Sequence, residues 1–313
     1  MKYLARRVTL FFVTLLLITV VTFLITNVLP GDAATMILGT RSTPATLAAL
    51  RLRLGLDAPL VVQYWHWVAR MLQGNFGVSL VFNLPIAGLL GQKILASAVL
   101  VVMSSILALV VAVPLGVWSA LHRERWQDVA GSSLALAGIS LPDFFWGILL
   151  ILLFARWLNW LPPSGYVSPL KNFPLALEYA LLPSITLALS LMAQLMRMTR
   201  SAMLEVLSQD FIRVCRAKGL DQGAIIVRHA LRNAITPVLT VAGLQIGYLF
   251  GSIVVVESLF NYTGMGWLTY QALLNRDLPL IQATVLVIAA VVMLTNLAVD
   301  VIYTILDPRV RLS

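Results

Sequence analysis

Residues 210–237 read DFIRVCRAKGLDQGAIIVRHALRNAITP. The stretch holds Arg213, Arg216, Lys218, Arg228 and Arg232, yet it lies between two apolar blocks in a 313-residue chain that is 60% hydrophobic and 11% charged. A soluble domain has roughly 45–50% apolar and about 25% charged residues. A globule as apolar as this one would lack the polar surface to cover its core, so lipid takes the place of water over much of the surface. The formal net charge of +9 does not point to nucleic acid, which needs a basic face on a soluble domain. Here the cations gather at the ends of apolar runs, the pattern that orients a membrane protein.

Outward from this stretch the apolar runs are Val8–Leu29, Ile94–Leu121, Val129–Leu158, Tyr179–Met198, Ile235–Val256 and Ile281–Ile305. Val8–Leu29 follows Lys2, Arg6 and Arg7. It exceeds the roughly 7–15 apolar residues of a signal peptide and is long enough to cross a ~30 Å hydrocarbon core, so it reads as a retained span. Pro142 interrupts the third run, and Pro183 is read as starting the fourth. Six spans place both termini on one side. With the N-terminus inside, the inner segments carry fourteen Lys and Arg residues and the outer segments eight, although the outer connections are longer. The positive-inside rule therefore puts both termini and residues 210–237 in the cytoplasm. Trp118 and Trp126 near one face, with Trp157 and Trp160 near the other, suit interfacial aromatic belts.

The expected architecture is all-α, one transmembrane domain over residues 1–313, with a long extracytoplasmic connection at 31–92 and a cytoplasmic loop at 199–234. In the outer connection, Ser42–Thr43 before Pro44 reads as a helix start and Gly55 as a stop. A second short helix follows Asp57–Ala58–Pro59, with Leu60, Tyr64, Val68, Met71 and Leu72 on one apolar face, and ends at Gly74. In the cytoplasmic loop, Gly219 then Asp221 reads as a helix stop and a new start. Ala224, Val227, Leu231 and Ala234 then form the apolar face of an amphipathic helix beside Arg228 and Arg232. Such a turn either presents a cationic face to a cytoplasmic partner or simply anchors topology.

Asp143 lies deep in the third run beside Pro142. A carboxylate at that depth costs at least a few kcal/mol, so it faces either a water-filled path or a local partner. With Ser140, Phe144 and Trp146 it forms a candidate substrate pathway; the alternative is a capped carboxylate at a helix break. Gly243, Gly247 and Gly251 recur every four residues, a spacing that lets membrane helices approach closely, either within the chain or across a subunit interface. Met192, Met196 and Met198 read as packing. Glu257 and Asp300 fall near membrane edges, where a carboxylate is cheaper, and receive no transport role.

The stretch QDFIRVCRAKGL…RHALRNAITP resembles the cytoplasmic coupling loop of ABC-importer permeases of the oligopeptide/dipeptide/nickel class. The resemblance runs along nearly the whole chain, through Leu29–Pro30–Gly31–Asp32, Leu54–Leu60, Gly74–Ser79, Ser140–Trp146, Glu257–Phe260, Arg276–Pro279 and Asp307–Arg311. It departs from the family pattern at Ala33 and Cys215. It implies a type I importer fold. It also implies that Arg216, Ala217, Lys218, Gly219, Leu220 and Asp221 contact a cytoplasmic ATPase. The partners it implies are a second, homologous permease, two such ATPases and an extracytoplasmic solute-binding protein, in the bacterial cytoplasmic membrane. The expected cargo is a peptide or related small solute, with nickel or a metal chelate as the alternative.

The chain lacks G-x-x-x-x-G-K-[ST], so it has no phosphate-cradling loop; ATP and Mg are expected on the partner ATPases and no cofactor in this chain. His66, His122 and His229 are scattered, which leaves no metal pair, and the lone Cys215 permits no internal disulfide. No nucleophile–base pattern suggests an enzyme. A secondary transporter would need ion-binding charges along several spans, where Asp143 is isolated, and a passive membrane scaffold would leave that carboxylate unexplained.

Overall fold

The computed structural model describes residues 2–28, 43–54 and 57–306. The Leu29–Asp32 motif, Ser42, Gly55 and the closing Asp307–Arg311 lie outside them. Long apolar helices dominate: α1 (Lys2–Val28), α4 (Ile86–Leu121), α7 (Phe173–Leu207), α9 (Gln222–Leu259) and α11 (Leu278–Leu306). Between α4 and α7 run α5 (Trp126–Ser140) and α6 (Asp143–Trp157, π-helical from Ile151), bent by 107° at their junction. Counted as one crossing, this pair makes the sixth span. The third apolar run is thus two helices, not one rod. Leu141, forced towards extended backbone by the following proline, adopts φ −99° and ψ 137° and breaks the helix.

Several boundaries move. Proline is tolerated within membrane helices because neighbours re-satisfy the freed backbone groups, and Pro183 lies inside α7 rather than starting it. That helix begins at Phe173, where the Asn172 side chain accepts a hydrogen bond from the Leu175 amide. It also runs on past Met198 to Leu207, and α4 begins eight residues before Ile94. Only Ser208–Asp221 separates α7 from α9, so helix continues through most of the 199–234 segment. In the outer connection, α2 (Pro44–Leu54) starts with Thr43 and Thr46 bonding each other reciprocally through backbone and hydroxyl groups. Then comes α3 (Leu60–Leu72), ended by Gly74 at φ 74°.

The core centres on α7, packed against α4, α9, α5 and α6. Half of its apolar window is buried in the protein, against 11% for α1, which leans on α11 at the periphery. Small residues on α4 (Ala96, Ala108, Ala112) and α7 (Ala180, Ala188, Ala193) let these two helices approach closely, as they do between membrane helices generally. Beyond α9, α10 (Met265–Leu274) packs back on α9 and α11.

Candidate functional site

The link between α7 and α9 is built around a turn. Helix α8 (Asp210–Ala217) ends where Gly219 takes φ 73°, in the left-handed region that a residue without Cβ enters most readily. The Gly219 amide donates to the Arg216 carbonyl at 3.0 Å and the Leu220 amide to the Cys215 carbonyl at 3.3 Å, the paired bonds of a Schellman stop. Asp221 then caps α9, its Oδ2 accepting from the Gly223 and Ala224 amides at 2.9 and 3.3 Å. Arg216, Ala217, Lys218, Gly219, Leu220 and Asp221 are all exposed, with Val214 and Leu220 adding apolar surface. The turn therefore presents a compact patch of mixed basic and apolar character.

The arm is fixed to the spans by a separate cluster. Ile212 of α8 is fully buried with Ile225, Ala230 and Ala234 of α9, Ala120 of α4, and Ala202, Met203 and Val206 of α7. The expected apolar face shifts here. Val227 is 65% exposed, and the buried positions are Ile225, Ala230 and Ala234. Residues Ile225–Leu231 are π-helical, so each turn takes in one residue more than an α-turn and the inward face advances along the sequence. Truncating a buried Ile to Ala costs about 2–5 kcal/mol. Ile212→Ala is therefore expected to loosen the arm, raising amide hydrogen exchange over residues 210–231 while α4 and the core of α7 stay protected.

At the break between α5 and α6, Asp143 occupies the first position of α6 and is partly buried. Its Oδ1 accepts a hydrogen bond from Ser190 Oγ in the middle of α7. A carboxylate at a helix N-terminus is also favoured by the backbone dipole. Ser140 is exposed and donates to the Leu136 carbonyl, Phe144 is 47% exposed, and the Trp146 indole N–H is buried without a hydrogen-bond partner among the described residues. The four pathway candidates thus share one junction. Gly243 and Gly247 pack on α11, where a Cβ would strike Val299 and Asn296 respectively, whereas Gly251 faces open space.

The sequence and fold of this chain have known counterparts. Residues 112–312 match the family described as "binding-protein-dependent transport system inner membrane component", and residues 1–83 match its N-terminal component. The chain belongs to this permease family. Among its relatives is the glutathione transport system permease protein GsiC of Salmonella choleraesuis (strain SC-B67), 39% identical over 311 residues and 99% of each chain. The GsiC of Escherichia coli (strain K12) is 37% identical over the same extent. An inward-facing structure of the MetNI methionine ABC transporter shares the fold, with a TM-score of 0.57 at 16% identity over 68% of this chain and 93% of that one. The chain is thus a type I ABC-importer permease subunit and not an enzyme, ATP hydrolysis residing in a separate subunit.

Among the described residues the permease carries three buried carboxylates that sequence reasoning left without a role, each accepting from a serine hydroxyl, which is distant in the chain for Asp277 and Glu257 and nine residues away for Asp128. Asp128 at the start of α5 holds Arg200 of α7 in a bidentate pair at 2.5 and 2.6 Å, while Ser119 Oγ of α4 donates to it at 2.6 Å. Asp277 is wholly buried before α11; its Oδ2 accepts from Ser79 Oγ at 2.6 Å and the Val81 amide at 3.1 Å, clasping the connection between α3 and α4. Glu257, expected at a cheap membrane edge, is also 0% exposed. Ser97 Oγ of α4 donates to its Oε1 at 2.5 Å and the Trp267 amide to its Oε2 at 2.9 Å, while Ser97 accepts from the Met265 amide. Lys93 lies 5.3 Å over the Trp267 ring beside it. Gly264 closes this site, where a Cβ would collide with the Glu257 carboxylate. An acidic residue one helical turn or less from the end of an apolar run was the available signal.

Proposed function

We propose that this permease takes up a peptide-like small solute, with a glutathione-sized peptide as the first candidate, and that the turn Arg216–Asp221 couples it to ATP hydrolysis. The observation that carries the cargo reading is its 39% identity, along 99% of both chains, to a permease named for glutathione transport. The coupling reading rests on the exposed Schellman turn and on the buried cluster behind it, which ties the turn to α4, α7 and α9 at once. A partner that shifts the turn moves three spans together. The assembly consists of this chain, a homologous second permease, two cytoplasmic ATPases that bind ATP and Mg, and an extracytoplasmic binding protein. Both termini and the turn face the cytoplasm of a bacterial inner membrane, in line with the excess of Lys and Arg on that side. The junction of Ser140, Asp143, Phe144 and Trp146 lines the solute path, its mid-span backbone break being tolerable where it borders protein or water.

Purification of the tagged chain in gentle detergent is expected to bring down two ATPase polypeptides and a second permease, identified by mass. Vesicles bearing that assembly and its binding protein are expected to accumulate labelled glutathione or a dipeptide in an ATP-dependent manner. Accumulation of nickel alone would transfer the cargo to the metal branch of the family. Transport by the isolated chain without ATP would overturn the importer assembly.

A further inference from the structure

Helix α3 lies in the outer connection, yet its contacts lead into the span α1. The Tyr64 hydroxyl is 2.8 Å from Thr19 Oγ1, and Phe23 meets Tyr64 edge-on and Trp67 at a tilt, with ring centroids 5.5 and 5.9 Å apart. The depth of these partners follows from the register of α1. Its apolar window is Arg6–Thr26, 21 residues, or about 31 Å at 1.5 Å per residue, which matches a ~30 Å hydrocarbon core. Thr26 closes that window and accepts a hydrogen bond from Gln282, near the start of α11. Thr19 lies seven residues deeper, about 10 Å below that edge.

The faces of α3 fit such a depth. Tyr64, Trp67, Val68 and Met71 turn inward, Trp67 being 7% exposed. Beside them on the helix surface runs a second apolar stripe left largely uncovered by the described residues: Val61 is 68% exposed, Trp65 58% and Leu72 84%. His66 and Arg70, both exposed, fall on the opposite arc. One broad apolar arc, half covered by α1 and half bare, with a polar arc facing away, is the pattern of a helix lying in the membrane interface. We propose that α3 is embedded in the leaflet at the outer end of α1, where Val61, Trp65 and Leu72 contact lipid acyl chains and His66 and Arg70 point to the headgroups. The helix is then a lipid-anchored float that fixes the outer connection at the membrane surface.

The full-length chain, with Cys215→Ser to remove its cysteine, is labelled with a nitroxide at Val61→Cys, Trp65→Cys, Leu72→Cys or His66→Cys and placed in phosphatidylcholine vesicles. The expected result is a ratio of oxygen to water-soluble nickel-complex accessibility severalfold higher at 61, 65 and 72 than at 66. Equal nickel-complex access at 65 and 66 would put the stripe in water, and low access of both probes at 61, 65 and 72 would mean that protein covers it; either overturns the proposal. Positions 61 and 72 keep the test intact if Trp65→Cys fails to fold.

Discussion

Gly219→Val is expected to abolish ATP-driven uptake by about tenfold or more while the chain stays in the membrane and the assembly continues to hydrolyse ATP. Val at φ 73° meets the clash of Cβ with the following carbonyl, about 1–2 kcal/mol for an ordinary residue, and its β-branching makes that conformation a stricter outlier. No neighbouring atom lies within 4 Å of the position a Cβ would take, so the chain's own packing does not oppose the side chain. The damage falls on the turn, which must open and re-aim Arg216, Lys218 and Leu220. Gly219→Asn separates two causes, because asparagine tolerates the left-handed region. If Asn restores uptake, the backbone conformation is what the partner requires. If Asn fails with Val, the cleft that receives the turn has no room for a side chain. Full uptake by Gly219→Val would remove the docking role from this turn.

Arg200→Ala is expected to cost about 3 kcal/mol of stability. Removing one partner of a buried ion pair leaves the other charge uncompensated, a loss of about 3–5 kcal/mol, and the 28% exposure of the Arg200 side chain places this case at the low end because water screens part of it. Asp128 would be left with Ser119 and the Glu124 amide only. The pair joins the α4–α5 hairpin to α7, so the measurable outcome is a fall in the thermal midpoint of the detergent-solubilised chain by several degrees. Arg200→Lys should recover little of it, since an ammonium cannot reproduce the two-pronged contact. A double change, Asp128→Leu with Arg200→Met, is expected to regain most of the stability by replacing the pair with apolar contacts. An unchanged midpoint for Arg200→Ala would mean that the pair contributes nothing net.

What was legible in the sequence follows from how local each signal is. Runs of apolar residues reveal spans because lipid imposes the same demand on every turn, and the Gly219–Asp221 stop and start could be read because left-handed backbone and helix capping select residue types directly. Pro142 marked a break but not its 107° angle, which depends on what α7 and α9 leave room for. The phase of α9 was misread because a π-turn leaves no residue signature of its own; Val227 looked inward under an α-helical period and points out. The serine partners of Asp277 and Glu257, and the Arg200 partner of Asp128 72 residues on, were invisible for a different reason. Ser79 and Asp277 are 198 residues apart and Ser97 and Glu257 are 160 apart, so only the fold brings them together.

The two ends of α9 belong to one rod. Its first residue follows Asp221 at the exposed turn, and Glu257 sits locked by Ser97 and Trp267 at the far end. At 1.5 Å per residue the 38 residues between Gln222 and Leu259 span about 57 Å. If the exposed turn is the coupling site proposed above, such a rod would act as a lever, with the Glu257 clasp as its bearing and the π-helical segment as the collar just behind the handle. Under the coupling proposed above, a push on the exposed tip would be either taken up in that collar or carried along the rod across the bilayer.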